Sequence, residues 1–362
     1  MNSLLKCIIW DLDDTLWDGA LKRDAGEARI RPRALRVLEA ADAKGVIQSV
    51  ASRNDRETAL AKLSALGLAR FFIFPQIDNY APKTAGIQKI AERFNIGMDC
   101  VAFVDDNEFE RYQAKKYFPE ISVHAPDADG LAALAAMIAE IPGSFSADRP
   151  DLMKIRETRI EAEAAFSGSR EEFLAGCKMR LSVRRALPAC LPRAAELALR
   201  TNRLNNTRER LSEAELAEYF GAPGKFAYVC SLTDIFGDSG VVGVCLLRSG
   251  PGGINCGADN EEITLYLDLF CISCRVEGRG VAAAFLSVVL GENGVLREFE
   301  AENRPSRILC DYVVNKKDLS AYMLLKGMGF SQAGKDGGRL SMALDLPAKN
   351  AAPAWITVEM EE

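Results

Sequence analysis

The chain has 362 residues, 48% of them hydrophobic and 27% charged, and a formal net charge of -6. That composition supplies apolar material for two ordinary domain cores, and its acidic balance speaks against a nucleic-acid partner, which calls for a basic face. No stretch approaches the roughly 18 apolar residues of a membrane helix. The N-terminal MNSLLKCIIWDLDDT lacks the apolar core and small-residue cleavage site of a signal peptide. A cytoplasmic protein with no membrane role is therefore expected, its ten cysteines reduced. A single histidine, His124, removes histidine-rich metal sites and Ser-His or Cys-His relays unless it takes part itself, and a structural role is expected for it.

Residues 1–125 alternate apolar runs with helical patterns. The runs Cys7–Trp10, Val46–Ala51, Phe71–Phe74 and Val101–Val104 each end at a polar or turn residue, as buried parallel strands do. Between them, Asn54 reads as an N-cap. Leu60, Leu63 and Leu66 follow on one helical face, and Gly67 closes the segment. The alternation predicts an open α/β sheet with its ligand at the carboxyl ends of the strands. The segment IPGSFSADRPD marks a boundary near 142–150, so 1–145 reads as one domain and 146–180 as a linker helix region. In the second domain, 181–346, strands are expected over Tyr228–Leu232, Gly240–Leu247 and Ile263–Ile272, with helices over 281–290 and 318–330. The Ala/Pro-rich, acidic residues 347–362 read as a peripheral tail.

Asp11-Leu12-Asp13-Asp14-Thr15 follows the first strand. On an extended chain residues two apart point the same way, so Asp11 and Asp13 share one site. Their mutual repulsion is offset by Mg²⁺, which takes hard oxygen ligands. A carboxylate can also serve as a nucleophile toward phosphorus, with its neighbour as acid and base. Asp105-Asp106, after the strand Val101–Val104, supplies further metal ligands. Ser52 can hydrogen-bond a phosphoryl oxygen, and Lys83 can neutralise developing charge.

DxDxT, a strand-terminal Ser, a Lys and a strand-terminal DD, in this order over about residues 5–125, resemble the four motifs of the haloacid dehalogenase (HAD) superfamily. The resemblance implies Asp11 as nucleophile, Asp13 as acid/base, Ser52 and Lys83 on the phosphoryl group, and a metal held by Asp11, Asp13, Asp105 and Asp106. The short gaps between motifs leave no room for a large cap over the sheet. Asp14 and Asp18 add negative charge near this site.

In the second domain, Gly278 and Gly280 allow a tight turn into a helix whose N-terminus offers free N–H groups to phosphate. The RxxGxG pattern from Arg275 resembles the pyrophosphate loop of GNAT acyltransferases, which implies a GNAT-like α+β domain. SVASRND at 49–55, RTNRLNNT at 200–207, SLTDIFGDSGVVG at 231–243 and SCRVEGRGV at 273–281 together resemble the FkbH family, which fuses a HAD domain to a GNAT-like one. That resemblance implies transfer of a glyceryl unit from 1,3-bisphosphoglycerate, with removal of its phosphate, to an acyl carrier protein. It implies Cys274 as the attacking thiol, aided by Arg275 and the 278–280 loop, with Asn202, Asn205 and Asp238 as candidate acyl-site residues. A HAD phosphatase fused to a CoA-dependent N-acetyltransferase is the alternative. Cys274 also reads as a small buried hydrophobe, or with Cys271 as a redox or zinc pair. The arginines 184, 185, 193, 200, 203, 208 and 210 form a basic stretch, either solvated or available to dock an acidic carrier.

Overall fold

The computed structural model describes residues 4–21, 28–142, 149–201, 203–251, 263–314 and 319–361. The chain forms two compact units, Met1–Glu157 and Thr158–Glu362.

In the first unit, β1 (Cys7–Trp10) is followed by a small ribbon of β2 (Trp17–Asp18) and β3 (Arg29–Ile30). Then come α1 (Pro32–Ala43), β4 (Ile47–Ser52), α2 (Arg56–Ala65), β5 (Gln76–Ile77), α3 (Lys83–Phe94), β6 (Val101–Val104), α4 (Glu108–Tyr117), β7 (Ser122–His124) and α5 (Ala128–Ala139). The sheet order is β5-β4-β1-β6-β7, and every neighbouring pair is parallel. β1 and β6 are buried at every position, as strands covered on both faces must be. Between β1 and α1 the described residues hold only the β2–β3 ribbon, so no large cap stands there.

Two local expectations are corrected. Asp55, not Asn54, caps α2, its carboxylate accepting from the Thr58 N–H at 2.9 Å. Phe71–Phe74 is not a strand: Ala69–Phe71 is a 3-10 turn, Phe72 makes an isolated bridge to Gln48, and the paired residues are Gln76 and Ile77. Phe71, Phe72 and Ile73 are buried, and that demand for burial is what mimicked a strand in the sequence.

The boundary between the units falls within α6 (Arg149–Ala165). The second unit continues with α7 (Arg170–Gly176), β8 (Met179–Arg185), α8 (Leu191–Arg200), α9 (Glu213–Ala217), β9 (Lys225–Asp234), β10 (Gly237–Pro251) and β11 (Ile263–Ile272). It ends with α10 (Val281–Val289), β12 (Arg307–Val313), α11 (Ser320–Gly327), β13 (Ser331–Asp336), β14 (Arg339–Asp345) and β15 (Ile356–Met360). Its sheet is mixed, in the order β13-β14-β12-β11-β10-β9-β8-β15. One face packs on α7, α10 and α11 through Phe173, Phe285 and Leu325; the other packs on α8 and α9 through Leu197 and Leu216.

The tail, expected at the periphery, supplies the edge strand: β15 pairs in parallel with β8 over five residues, and Ile356 is buried. β11 and β12 pair only from Leu265↔Ile308 to Leu267↔Cys310 and then part. Residues 204–206 enter the gap. The Ile272 N–H donates to Leu204 O at 3.0 Å, the Phe270 N–H to Asn206 Oδ1 at 2.7 Å, and the Val313 N–H to Asn206 O at 2.9 Å. Buried Asn206 thereby satisfies backbone groups that the parted strands leave open.

Candidate active site

Register builds the site. Trp10 on β1 faces Val104 on β6, so the next residues, Asp11 and Asp105, leave the sheet side by side. The ladder runs one step further at each: Asp11 N–H donates to Val104 O at 2.9 Å, and Asp105 N–H to His124 O at 3.2 Å. The chain steps outward from β1 through β4 to β5, then returns to the other side of β1 for β6. Asp11 and Asp105 thus stand at the switch point of the sheet, where open α/β sheets bind ligands.

Ser52 ends β4 on the other flank. Its hydroxyl donates to the Asp11 carboxylate and accepts from Asn54 Nδ2 at 3.2 Å. Lys83 opens α3, only 8% exposed, with Nζ 2.8 Å from Asp11 Oδ1 and 2.7 Å from Asp105 Oδ2. Burial pushes the Asp11 carboxyl up, against the pull of Lys83, Ser52 and the Leu12 N–H. Burial and then the Asp11 charge push Asp105 up to about 7, although Lys83 and the Asn107 N–H oppose them. Burial disfavours the Lys83 ammonium, but the two carboxylates outweigh it and hold its pKa above the ordinary value.

Carboxylate oxygens of Asp11, Asp105 and Asp106 lie within 4.8 Å of one another. Three acids against one ammonium leave negative charge to be compensated. An all-oxygen donor set of this kind fits a hard divalent cation. Asp13, expected among the ligands through its side chain, is outside this set. Its Oδ1 accepts from Trp17 Nε1 at 2.9 Å and the Leu21 N–H at 3.3 Å. The alternation argument fails there because β1 stops at Trp10 and the chain turns: Leu16 N–H donates to Leu12 O at 2.8 Å, and Asp14 adopts a φ of 52°. Asp14 and Asp18 meet Arg31, at 4.0 and 2.7 Å, which offsets the charge they bring.

Three supporting residues were given no role in this site from the sequence. Thr15 Oγ1 accepts from the Asp106 N–H at 2.9 Å and donates to Asp106 Oδ1 at 3.3 Å. Arg111 Nη1 donates to the carbonyl oxygens of Asp105 and Asp106, at 2.6 and 2.7 Å. Asn54, buried, holds Ser52. The only sequence signal for Thr15 was its place in DxDxT; Arg111 lies one helical turn past the acidic pair and carries none.

Nine cysteines are described, seven of them in the second unit, and Cys274 alone of the nine is half-exposed. It opens a 3-10 turn, Cys274–Val276, in which neighbouring side chains diverge. Arg275 is buried, with Nε donating to Ser273 Oγ at 3.1 Å and Nη2 to Ser239 O at 3.3 Å. Its guanidinium is thus engaged with the β10 side of the turn. Cys271, the other half of the C-x-x-C, is fully buried in β11, and burial pushes its thiol up to about 12.

Gly278 and Gly280 both take positive φ, 75° and 85°, and Gly280 precedes α10 as its N-cap. Arg170 Nη2 donates to Gly278 O at 2.9 Å, and between the glycines Arg279 pairs with Asp234, both side chains 3% exposed. Asn205 shapes a turn, accepting from the Arg208 N–H at 2.7 Å and donating to Glu209 O at 3.3 Å. Asp238 is exposed and accepts from the Gly240 N–H at 2.7 Å in the β9–β10 hairpin. Asn202 lies outside the described residues. Within the basic stretch, Arg193 and Arg200 flank fully buried Glu196, and Arg203 meets Glu277 at 3.4 Å. These arginines are partly spent inside the unit.

Residues 19–114 match the family described as haloacid dehalogenase-like hydrolase. No curated protein matches the chain. Among solved structures, the N-terminal part of BF1531 from Bacteroides fragilis, containing a phosphatase domain complexed with Mg, is 24% identical. The match covers 40% of this chain and 42% of that one, with a TM-score of 0.35. Arabidopsis thaliana NAA60 in complex with a bisubstrate analogue is 11% identical over 46% of this chain and 99% of that one, with a TM-score of 0.35. The GNAT domain of S. lividans PAT is 16% identical over 45% and 89%, with a TM-score of 0.33. Among the described residues, no helix is long and apolar enough to cross a membrane. The first unit therefore holds a haloacid dehalogenase-like hydrolase domain, with its acid cluster at the switch point of a five-stranded parallel sheet.

Proposed function

We propose that the protein is a magnesium-dependent bifunctional glyceryl transferase and phosphatase. It takes a phosphoglyceryl unit from 1,3-bisphosphoglycerate, removes its phosphate at Asp11 and delivers glyceryl to the pantetheine thiol of an acyl carrier protein. The observation that carries the phosphatase half is the bridge of Lys83 between Asp11 and Asp105, at 2.8 and 2.7 Å, beside Ser52 and Asp106. The half-exposed Cys274 supports the transfer half.

Asp11, Asp105 and Asp106 would hold magnesium, which would supply positive charge to the phosphoryl oxygens. Cys274 sulfur, as thiolate, attacks the acyl carbon of the acyl phosphate. The carbon–oxygen bond breaks, inorganic phosphate leaves, and a phosphoglyceryl thioester remains. An Asp11 oxygen attacks the phosphorus of the remaining ester; the phosphorus–oxygen bond breaks, and the departing alkoxide takes a proton from Asp13. Water then cleaves the aspartyl phosphate, giving its proton to Asp13. Ser52 and Lys83 hold phosphoryl oxygens throughout, and Trp17 and the Leu21 N–H hold Asp13 in place. The carrier thiolate finally attacks the thioester carbon and frees Cys274.

Intact-protein mass spectrometry after incubation with 1,3-bisphosphoglycerate tests this. A glyceryl adduct is expected on the wild type, a phosphoglyceryl adduct on Asp11→Asn, and none on Cys274→Ala. No adduct on any of the three refutes glyceryl transfer. A second reading, a phosphatase joined to a CoA-dependent N-acetyltransferase, rests on the Gly278–Gly280 turn that opens α10. Acetyl-CoA turnover with an amine acceptor, indifferent to Cys274→Ala, would establish it instead.

A further inference from the structure

A cavity of about 100 Å³ lies at the ends of β4 and β5 in the first unit, and its lining includes Ser52 and Lys83 together with Arg56, Asp78 and Lys89. Ser52 and Lys83 also bond the Asp11 carboxylate, the serine through its hydroxyl and the lysine through Nζ at 2.8 Å. The cavity therefore shares a wall with the acid cluster, and it has room for one tetrahedral oxyanion.

The second observation is electrostatic. Three cations line the cavity against one carboxylate. Lys83 is committed to Asp11 and Asp105, whereas Arg56 and Lys89 are exposed. Asp78 turns one carboxylate oxygen to the N–H groups of Tyr80 and Ala81, at 2.8 and 3.2 Å. Arg56 opens α2, where a cation works against the helix dipole, so helix stability does not account for it. Its Nη1 donates to Pro75 O at 2.9 Å, a neutral acceptor that fixes the guanidinium at the end of the sheet and leaves its charge in place. A guanidinium held in this way keeps further N–H donors for the oxygens of a phosphate.

We infer that this cavity is a second anion site, which receives the inorganic phosphate formed at Asp11. The inference rests on the phosphatase reading and adds to it a place for the inorganic product. In that reading water cleaves the aspartyl phosphate: the phosphorus–oxygen bond to Asp11 breaks, phosphate is set free and Asp11 regains its negative charge. Asp11 and Asp105 then repel the phosphate at short range, while Arg56 and Lys89 attract it from the cavity. The organic product stays on a protein thiol and does not diffuse away, so a site of its own lets phosphate move off Asp11 while that product is still seated.

Beryllofluoride with Mg²⁺ mimics a phosphoryl group on a carboxylate and fills the Asp11 site, so phosphate added afterwards reports a second one. Equilibrium dialysis of the full chain against radiolabelled inorganic phosphate, at about 0.15 M salt to screen loosely attracted ions, is expected to show one phosphate bound to each beryllofluoride-loaded wild-type chain. Arg56→Gln/Lys89→Gln is expected to weaken that binding by about tenfold or more, as the loss of one charged hydrogen bond does, with the fluorine NMR signal of the bound beryllofluoride unchanged. No phosphate on the loaded wild type overturns the second site alone. So does equal phosphate binding by wild type and double variant, or loss of the bound beryllofluoride from the double variant, because the two cations then serve the Asp11 site itself. A wild type that takes up no beryllofluoride with Mg²⁺ overturns the phosphatase reading and the second site together.

Discussion

Thr15 and Asp106, 91 residues apart in the chain, exchange two hydrogen bonds: the Asp106 N–H donates to Thr15 Oγ1 at 2.9 Å, and that hydroxyl donates to Asp106 Oδ1 at 3.3 Å. The turn after β1 is thereby tied to the acidic pair after β6, and Asp106 is aimed at Asp11 and Asp105. Thr15→Val keeps the shape and removes both bonds, a loss of about 1–2 kcal/mol. Divalent-cation affinity, measured by titration calorimetry, is expected to weaken about tenfold, with Thr15→Ser close to wild type. Equal affinities in all three proteins would show that Thr15 only packs.

Lys83 is the one cation bonded to the buried acids Asp11 and Asp105 among the described residues. Lys83→Met strands two carboxylates with little access to water. Such losses cost about 3–5 kcal/mol in a buried pair. Denaturant melts in chelator should show the deficit, and excess Mg²⁺ should narrow it, because a cation that binds only the folded state stabilises it. A variant as stable as wild type in chelator, or equally weak with and without Mg²⁺, contradicts this account.

Cys274 should react first among the described cysteines. The other eight are buried, and burial pushes Cys271, for one, up to about 12, where little thiolate exists near neutrality. Brief iodoacetamide treatment of native protein, followed by peptide mapping, should label the Cys274 peptide well ahead of those holding Cys230, Cys245, Cys271 or Cys310. Comparable labelling of Cys271 and Cys274 would refute the assignment.

His124, the only histidine in the chain, gives a proton NMR signal that needs no assignment. Burial lowers its pKa below 6.5, although Gly130 partly opposes this, and its Nε2 lies 2.8 Å from Ser122 Oγ. The folded protein thus binds this proton more weakly than the unfolded chain does. The sign follows: stability is unaffected by this group well above 6.5 and declines as pH falls through 6.5 toward the folded-state value. A ring signal titrating at or above 6.5 would rule out the buried, neutral imidazole.

The sequence by itself determined the parallel strands at Cys7–Trp10 and Val101–Val104, the acids that leave them and the serine and lysine beside them, because a buried strand must be apolar and must end where polar chemistry begins. It did not determine which oxygens converge. Asp13 left the expected ligand set when the chain turned after Trp10, an event governed by contacts with Trp17 and Gly19 rather than by strand periodicity. Thr15 acts through Asp106, 91 residues away, a partner brought near only by folding, so its motif position alone did not show what it holds. In the second unit, composition placed residues 347–362 in a tail, whereas tertiary pairing made Ile356–Met360 an edge strand. Asn206 gained its place only because β11 and β12 part and leave backbone groups that need a partner. Local sequence carries periodicity and motif; the pairing of distant groups depends on the register of strands and on buried polar groups that must be satisfied, and these exist only once the chain is folded.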